Sequence, residues 1–314
     1  MASMTIRPLD EDRDAADMVA LAREAKPTSV VSIPSWLHRE RTVPERADYR
    51  SWVAESDGRV VGHVDVLRNF FTKGSRSGLF HVGVRKGHRR KGIGAELYDI
   101  GIAYARELGL EALLAKFQEN DAGAAFASAR GFRLVRTETE SAVDPRTVTE
   151  LPDPAVELLP VCEIDPRLVY EVDVESTLDI PLTEQVDHIP YDEWVGHVLE
   201  HPLFTAEGSF CAMVDGLAAA TAFLCVDLES GRAVNMFTGT LRAYRGRGLA
   251  LAAKLAATHW AAAHGVTQIA TTNDETNAAM LAINRRLGYR PVGREVEWIK
   301  EGTASAPAPP APAT

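Results

Sequence analysis

Two short stretches hold the residue types that could grip a concentrated negative charge. Arg89-Arg90-Lys91-Gly92-Ile93-Gly94 and Arg245-Gly246-Arg247-Gly248-Leu249-Ala250 each mix basic side chains with glycines, and each opens a long helical pattern. A helix N-terminus offers unpaired amides and the positive end of the macrodipole, which suits a phosphate or diphosphate. Glycine lets the backbone approach phosphate oxygens and take left-handed dihedral angles. The two stretches therefore read as diphosphate cradles. Other phosphate loops fail on spacing: a dinucleotide fingerprint needs a third glycine where Leu97 stands, and neither copy has the Gly-Lys-Ser/Thr of a P-loop.

Acid–base candidates are fewer. His81 sits next to Val82 on a strand that leads to the first cradle, and the intrinsic pKa of imidazole suits a general base. An ordinary strand histidine is the competing explanation, and the same holds for His63 and Asp65 on the preceding strand. Glu184, Asp187 and His188 are further polar candidates in the second half, though a solvated loop explains them equally well. Trp194, Trp260 and Trp298 read as core anchors. Cys162, Cys211 and Cys225 are widely spaced with no C-x-x-C pair, so neither a disulfide framework nor a metal site is expected. They read as reduced, small core residues.

The elements that must position these residues alternate between strand and helix. Residues 59–66 and 79–84 are strand-like. A helix is predicted over 92–108, with Ile93, Leu97, Ile100, Tyr104 and Leu108 recurring at three- and four-residue steps and Gly109 stopping it. A strand over 112–117, a short alanine-rich helix to Arg130 and a strand from Phe132 follow. The second half repeats this order, with its long helix over 249–263 and Gly265 as the stop.

The repetition is explicit. Asp57-Gly58 matches Asp215-Gly216 at an offset of 158 residues, Gly92 matches Gly248 at 156, and Gly131-Phe132 matches Gly288-Tyr289 at 157. This divides the chain into a module over 4–142, a polar linker over 143–154, a module over 155–300, and a Pro/Ala-rich tail over 301–314 expected to be disordered.

Both modules resemble the GCN5-related N-acetyltransferase (GNAT) superfamily, whose signature Q/R-x-x-G-x-G/A is met by Arg89 to Gly94 and by Arg245 to Ala250. An asparagine followed by a short helix ending in Gly-aromatic completes the pattern at Asn120 and Gly131-Phe132, and at Asn277 and Gly288-Tyr289. The arrangement is similar to tandem bacterial members of the mycothiol synthase type. The resemblance implies an α/β (α+β) fold of two tandem mixed-sheet modules flanked by helices. It implies acetyl-CoA as cofactor, with its diphosphate on the two cradles and its pantetheine along Val82 and Val84, or Thr238 and Thr240, and contacting Asn120 and Asn277. The strand before each cradle would carry a bulge that splays it from its neighbour. The family's usual tyrosine acid is missing, its positions being Ala127 and Asn284. Asn284 could hydrogen-bond the sulfur, which tilts the choice of active module slightly to the second; His81 is the base candidate in the first.

The expected activity is transfer of an acetyl group directly to an amine of a small molecule, or possible retirement of one module as a structural or acyl-CoA-sensing copy. A net charge of −10 and a pI near 5.4 argue against nucleic acid as partner. No apolar run is long enough to span a bilayer and no secretory signature opens the chain, so a cytoplasmic protein is expected. The internal pseudo-symmetry leaves monomer and homodimer both open.

Overall fold

A computed structural model describes residues 4–149 and 156–303. The expected tail from residue 304 onward and the linker core over 150–155 lie outside the described residues. Asp144 opens a short capped turn, accepting from the Arg146 amide at 3.0 Å.

The first half of the chain supplies β1 (Met4–Pro8), α1 (Glu11–Ala25), α2 (Ile33–Thr42), β2 (Arg50–Ser56), β3 (Arg59–Arg68), β4 (Ser77–Val84), α3 (Ile93–Glu107), β5 (Ala112–Gln118), α4 (Asp121–Ser128) and β6 (Arg133–Val143). The second half supplies β7 (Glu157–Pro160), α5 (Pro166–Thr177), α6 (Tyr191–Trp194), β8 (Phe210–Val214), β9 (Leu217–Asp227), β10 (Arg232–Thr240), α7 (Leu249–Ala263), β11 (Gln268–Asp274), α8 (Ala278–Arg286) and β12 (Arg290–Glu301). The two series run in the same order, as the sequence repeat requires.

By contacts the chain forms two compact units, and they are not two consecutive stretches of sequence. Unit 1 comprises Met1–Ala25, Val43–Arg136 and Val296–Thr314, and unit 2 comprises Lys26–Thr42 and Thr137–Glu295. The order of strands in unit 1 is β1-β2-β3-β4-β5 and then the end of β12; in unit 2 it is the end of β6, then β11-β10-β9-β8-β7. Each unit is thus completed by the last strand of the other sequence repeat. In unit 2, β6 pairs antiparallel with β11 from Ile269↔Val143 to Asp274↔Glu138. In unit 1, Trp298 of β12 stacks on Phe117 of β5 with ring centroids 6.3 Å apart, and Arg136 Nε pairs with Glu297 at 3.3 Å.

α3 packs on unit 1's sheet through Ile93, Leu97, Ile102, Tyr104 and Ala105, all buried. Ile93, Leu97 and Tyr104 belong to the stripe read from the sequence; its other members, Ile100 and Leu108, are only half-buried, and Ile102 and Ala105 are buried outside it. The alanine-rich α7 does the same in unit 2, burying Leu249, Ala253, Ala257 and Ala261. Trp194 is buried and donates Nε1–H to Asp173 Oδ2 at 2.6 Å, a core anchor as expected. Among the cysteines, Cys211 and Cys225 are buried but Cys162 is exposed on a short turn, which corrects its reading as a core residue.

The strand pair beside each cradle makes only a short ladder. β4 and β5 pair in parallel from Ser77↔Ala112 to Leu79↔Leu114, yet β4 continues to Val84 and β5 to Gln118. Likewise β10 and β11 pair from Arg232↔Gln268 to Val234↔Ala270 and then part. The expected bulge appears in β10, where Met236 interrupts the register against β9. It does not appear in β4, whose ladder with β3 runs unbroken from Gly62↔Val84 to Arg68↔Gly78. The parting of the strands in unit 1 therefore occurs without a bulge in β4.

Replacing Trp298 by alanine removes the stacked partner of Phe117 and is expected to cost about 2–3 kcal/mol of stability. Urea unfolding would measure it, and a loss below about 0.5 kcal/mol would show that the exchanged strand is not anchored by this stack.

Candidate functional site

Each cradle joins the end of a parting strand to the first turn of a helix. The chain leaves β4 at Val84, makes a short turn over Lys86–His88, and enters α3 with Gly92 as N-cap. In unit 2 it leaves β10 at Thr240, turns over Arg242–Tyr244, and enters α7 with Gly248 as N-cap. Left-handed φ values recur at equivalent positions: +62° at Arg90 and +90° at Gly92, +76° at Gly246 and +80° at Gly248. Alternating left- and right-handed residues turn successive amides to one side, a nest for an anion.

Those amides are available. Among the described residues, the N–H groups of Arg90, Lys91, Gly92, Ile93 and Gly94 donate to no protein acceptor, and neither do those of Gly246, Arg247, Gly248, Leu249 and Ala250. The first bonds of the helices come later, from Ala95 and Glu96 to the Gly92 carbonyl and from Ala252 to the Gly248 carbonyl. No capping side chain fills either N-terminus. A Cβ placed on Gly246 or Gly248 would meet nothing within 4 Å, and one on Gly92 only Glu96 Oε1 at 3.8 Å. These glycines serve the backbone angle and an open face rather than internal packing. The cradles fit a diphosphate.

The basic side chains behave differently in the two copies. In both, the motif arginine braces its loop: Arg89 Nε donates to the Val84 carbonyl at 2.9 Å, and Arg245 Nε to the Thr240 carbonyl at 3.2 Å. In unit 1, Lys91 Nζ donates to the Gly87 carbonyl at 3.1 Å, and no carboxylate pairs with Arg89, Arg90 or Lys91 among the described residues. In unit 2, Asp179 binds Arg242 and Arg245, while Arg247 lies over the Tyr244 ring at 5.4 Å.

The parting strands bring together the acid–base candidates of the first copy. Asp65 on β3 faces His81 on β4 in register. His81 Nδ1 lies 2.7 Å from Asp65 Oδ2, and His63 Nε2 lies 3.4 Å from Asp65 Oδ1, so one carboxylate orients two imidazoles. The Asp65 side chain is only 14 % exposed. Burial alone would raise its pKa; the His81 charge and the hydrogen bonds from His63 and His81 override that and hold it well below the usual carboxylate range. Gly83 makes room for His63, since a Cβ there would lie 2.6 Å from the imidazole Cε1. The equivalent positions in unit 2 are Thr221, Phe223 and Phe237, with Phe223 and Phe237 in register and their rings 5.5 Å apart. That copy has an apolar pair where the first has a carboxylate and an imidazole.

Asn284 of α8 is buried at 2 % exposure and fully engaged. Its Oδ1 accepts from Lys254 Nζ at 2.6 Å and its Nδ2 donates to Asn273 Oδ1 at 2.7 Å. Lys254 projects from α7 into this network with its ammonium 4.7 Å from the Tyr289 ring centroid. Burial lowers the Lys254 pKa to about 7. A lysine inside an alanine-rich helix gives no sequence signal of burial, and this group was missed. Its counterpart in the first copy is Tyr98, with Arg130 at 4.9 Å from its ring, and Ala127 beside it is buried.

The remaining candidates have local partners. Asn120 caps α4, with Oδ1 accepting from the Gly123 amide at 2.8 Å and Nδ2 donating to the Gln118 carbonyl at 2.7 Å. Asn277 caps α8, with Oδ1 accepting from the Met280 amide at 3.2 Å. Thr238 donates Oγ1–H to Asn235 Oδ1 at 2.8 Å. Val82, Val84 and Thr240 lie half-buried along the parting strands. Glu184, Asp187 and His188 lie in the irregular segment between α5 and α6. No group of three or more His, Cys, Asp or Glu side chains suited to a metal occurs among the described residues, nor any helix long and apolar enough to cross a membrane.

Comparison with known proteins agrees with the fold. Residues 16–132 match the model of the Acetyltransferase (GNAT) family. A tandem GNAT protein from the clavulanic acid biosynthesis pathway superposes with a TM-score of 0.74 at 21% identity, covering 97% of this chain and 100% of its own. A GCN5-related N-acetyltransferase from Sphaerobacter thermophilus gives 0.69 at 18% identity, over 96% of this chain and 98% of its own. A putative acetyltransferase from Pyrococcus horikoshii gives 0.60 at 15% identity, over 96% and 91%. No curated protein sequence matches the chain.

Lys254 predicts a pH dependence of stability. Its folded pKa of about 7 lies below the ordinary 10.5, so between those values the unfolded state binds one more proton than the folded state. Stability therefore rises with pH across this window, with a slope from this group of up to about 1.4 kcal/mol per pH unit, and is insensitive to the group below it. Denaturant unfolding from pH 7 to 10 should show this rise in the wild type and lose this component in Lys254→Met. Equal slopes would mean that Lys254 is not titrating in the fold.

Proposed function

From a match to the acetyltransferase (GNAT) family over residues 16–132 and a shared fold over the chain's length, we propose that this chain is a GNAT acetyltransferase in which unit 1 acetylates an amine of a small molecule. The observation that carries the choice of unit is the Asp65–His81 pair at 2.7 Å, against Phe223 and Phe237 at the same positions of unit 2.

Acetyl-CoA, when bound, supplies an acyl group activated as a thioester. The amides of residues 90–94 and the cations of Arg89, Arg90 and Lys91 hold its diphosphate. The stretches of β4 beyond Leu79 and β5 beyond Leu114, where the two strands no longer pair with each other, would offer backbone groups to its pantetheine arm. His81 takes the proton of the incoming ammonium, and Asp65 orients the imidazole through its contact with Nδ1. His63 steadies the same carboxylate from the other side. The reaction is a direct transfer, with the protein positioning the reactants rather than forming a covalent intermediate. The absence of a tyrosine at Ala127 fits departure of a thiolate without an acid, since a thiol has a modest pKa.

Unit 2 is then the non-catalytic copy. Asn284 supports this reading: both ends of its side chain are already bonded to Lys254 and Asn273, which leaves little with which to serve a sulfur.

An acceptor panel assayed by free-thiol release from acetyl-CoA tests the reading. With an accepted amine, His81→Ala should lower kcat by about 10²- to 10⁴-fold, and Asp65→Asn should lower it without changing acetyl-CoA affinity. Gly92→Asp should abolish turnover while Gly248→Asp leaves it largely intact. The opposite pattern for the two glycines would transfer the activity to unit 2.

A further inference from the structure

We infer that Asp179 decides how the two cradles share coenzyme A: by holding Arg242 and Arg245 it weakens the second cradle's grip on the diphosphate. The inference rests on the reading of both loops as coenzyme A cradles. Its observation is a difference between copies that the sequence motif does not show.

Asp179 follows the C-terminus of α5. Its Oδ1 accepts from Arg242 Nη2 at 2.7 Å, and its Oδ2 accepts from Arg242 Nε at 2.8 Å and from Arg245 Nη2 at 2.5 Å. Glu175, one turn earlier, accepts the Arg242 backbone amide at 2.6 Å and fixes the turn beneath. Arg245 is the first residue of the family motif, and its guanidinium is now bonded to the Thr240 carbonyl through Nε and to Asp179 through Nη2. A diphosphate arriving at this loop meets two cations already matched by a carboxylate, and must displace or tolerate that charge.

Unit 1 keeps the brace and lacks the brake. Glu24 accepts the Lys86 amide at 2.5 Å, as Glu175 does for Arg242. After Glu24 and Ala25, however, the chain from Lys26 onward belongs to unit 2. Four residues after Glu24, where Asp179 stands after Glu175, is Thr28, whose hydroxyl donates to Glu140, and Arg89 has no acidic partner among the described residues. The amides of the two cradles are alike, so the difference in charge is what separates their affinities. Exposure of the arginines, at 53 % and 45 %, keeps the effect moderate.

Calorimetric titration of the full chain with coenzyme A at low salt tests this. Gly92→Asp closes the first cradle, so residual binding reports the second. Adding Asp179→Asn to that variant should tighten residual binding about three- to tenfold and steepen its salt dependence, because two cations are released to the phosphate. Asp179→Ala should act in the same direction, and thermal melts of both variants would verify folding. An unchanged or weakened affinity overturns the inference, the latter showing that Asp179 presents the arginines rather than withholding them. If the wild type binds one equivalent but Gly92→Asp/Asp179→Asn binds none, the inference fails while the assignment of unit 1 stands. A wild type that binds no coenzyme A removes both.

Discussion

The short parallel ladder between β4 and β5 is the constraint on which the site depends. Three residue pairs hold the strands together, and beyond Leu79 and Leu114 they part while each keeps its other neighbour. Backbone groups left facing the gap need partners, and in a folded protein such groups are rarely left without them. A ligand with amide and carbonyl groups of its own suits that gap, and the cradle at the end of β4 fixes where its charged end lies. Neither helix termini nor basic residues would define a cofactor site without this opening. The same parting in β10 and β11 explains why both copies retain the architecture even where their side chains have diverged.

Divergence follows the chemistry. Main-chain features agree between the copies: the left-handed residues at the loop, the free amides, and the arginine that braces the strand end. Side-chain features do not. The first copy has Asp65 between His63 and His81; the second has Phe223 packed on Phe237, and its helix α7 buries Lys254 against Asn284. The second copy gains apolar burial from its aromatic pair at positions where the first keeps a buried carboxylate, which is costly unless hydrogen-bonded.

Strand exchange couples the copies by a different route. Unit 1 lacks its last strand without residues 296–301, and unit 2 lacks its own without residues 137–143. An incomplete sheet would expose an edge, which proteins cover or pair. The exchange also carries Lys26–Thr42 into unit 2, where Lys26 Nζ lies 3.3 Å from Glu140 and 3.2 Å from Glu295, and His38 Nε2 lies 2.8 Å from the Gly196 carbonyl.

The sequence by itself determined the repeat, the order of strands and helices from the first hairpin of each copy onward, and the two cradles. These are local properties: glycine dictates backbone angle at its own position, and a helical stripe is visible within a few turns. α3 and α7 accordingly fall within a residue or two of where periodicity puts them. What only the tertiary structure decided was pairing at a distance. Asp65 meets His81 through strand register, Asp179 meets Arg245 across 66 residues, and β12 completes the sheet of the earlier repeat. Lys254 and Asn284 were legible as residues but not as a buried pair, because burial of a lysine depends on what packs over it. Spacing along the chain carries the first kind of information; only packing, which brings remote segments within a few ångströms, carries the second.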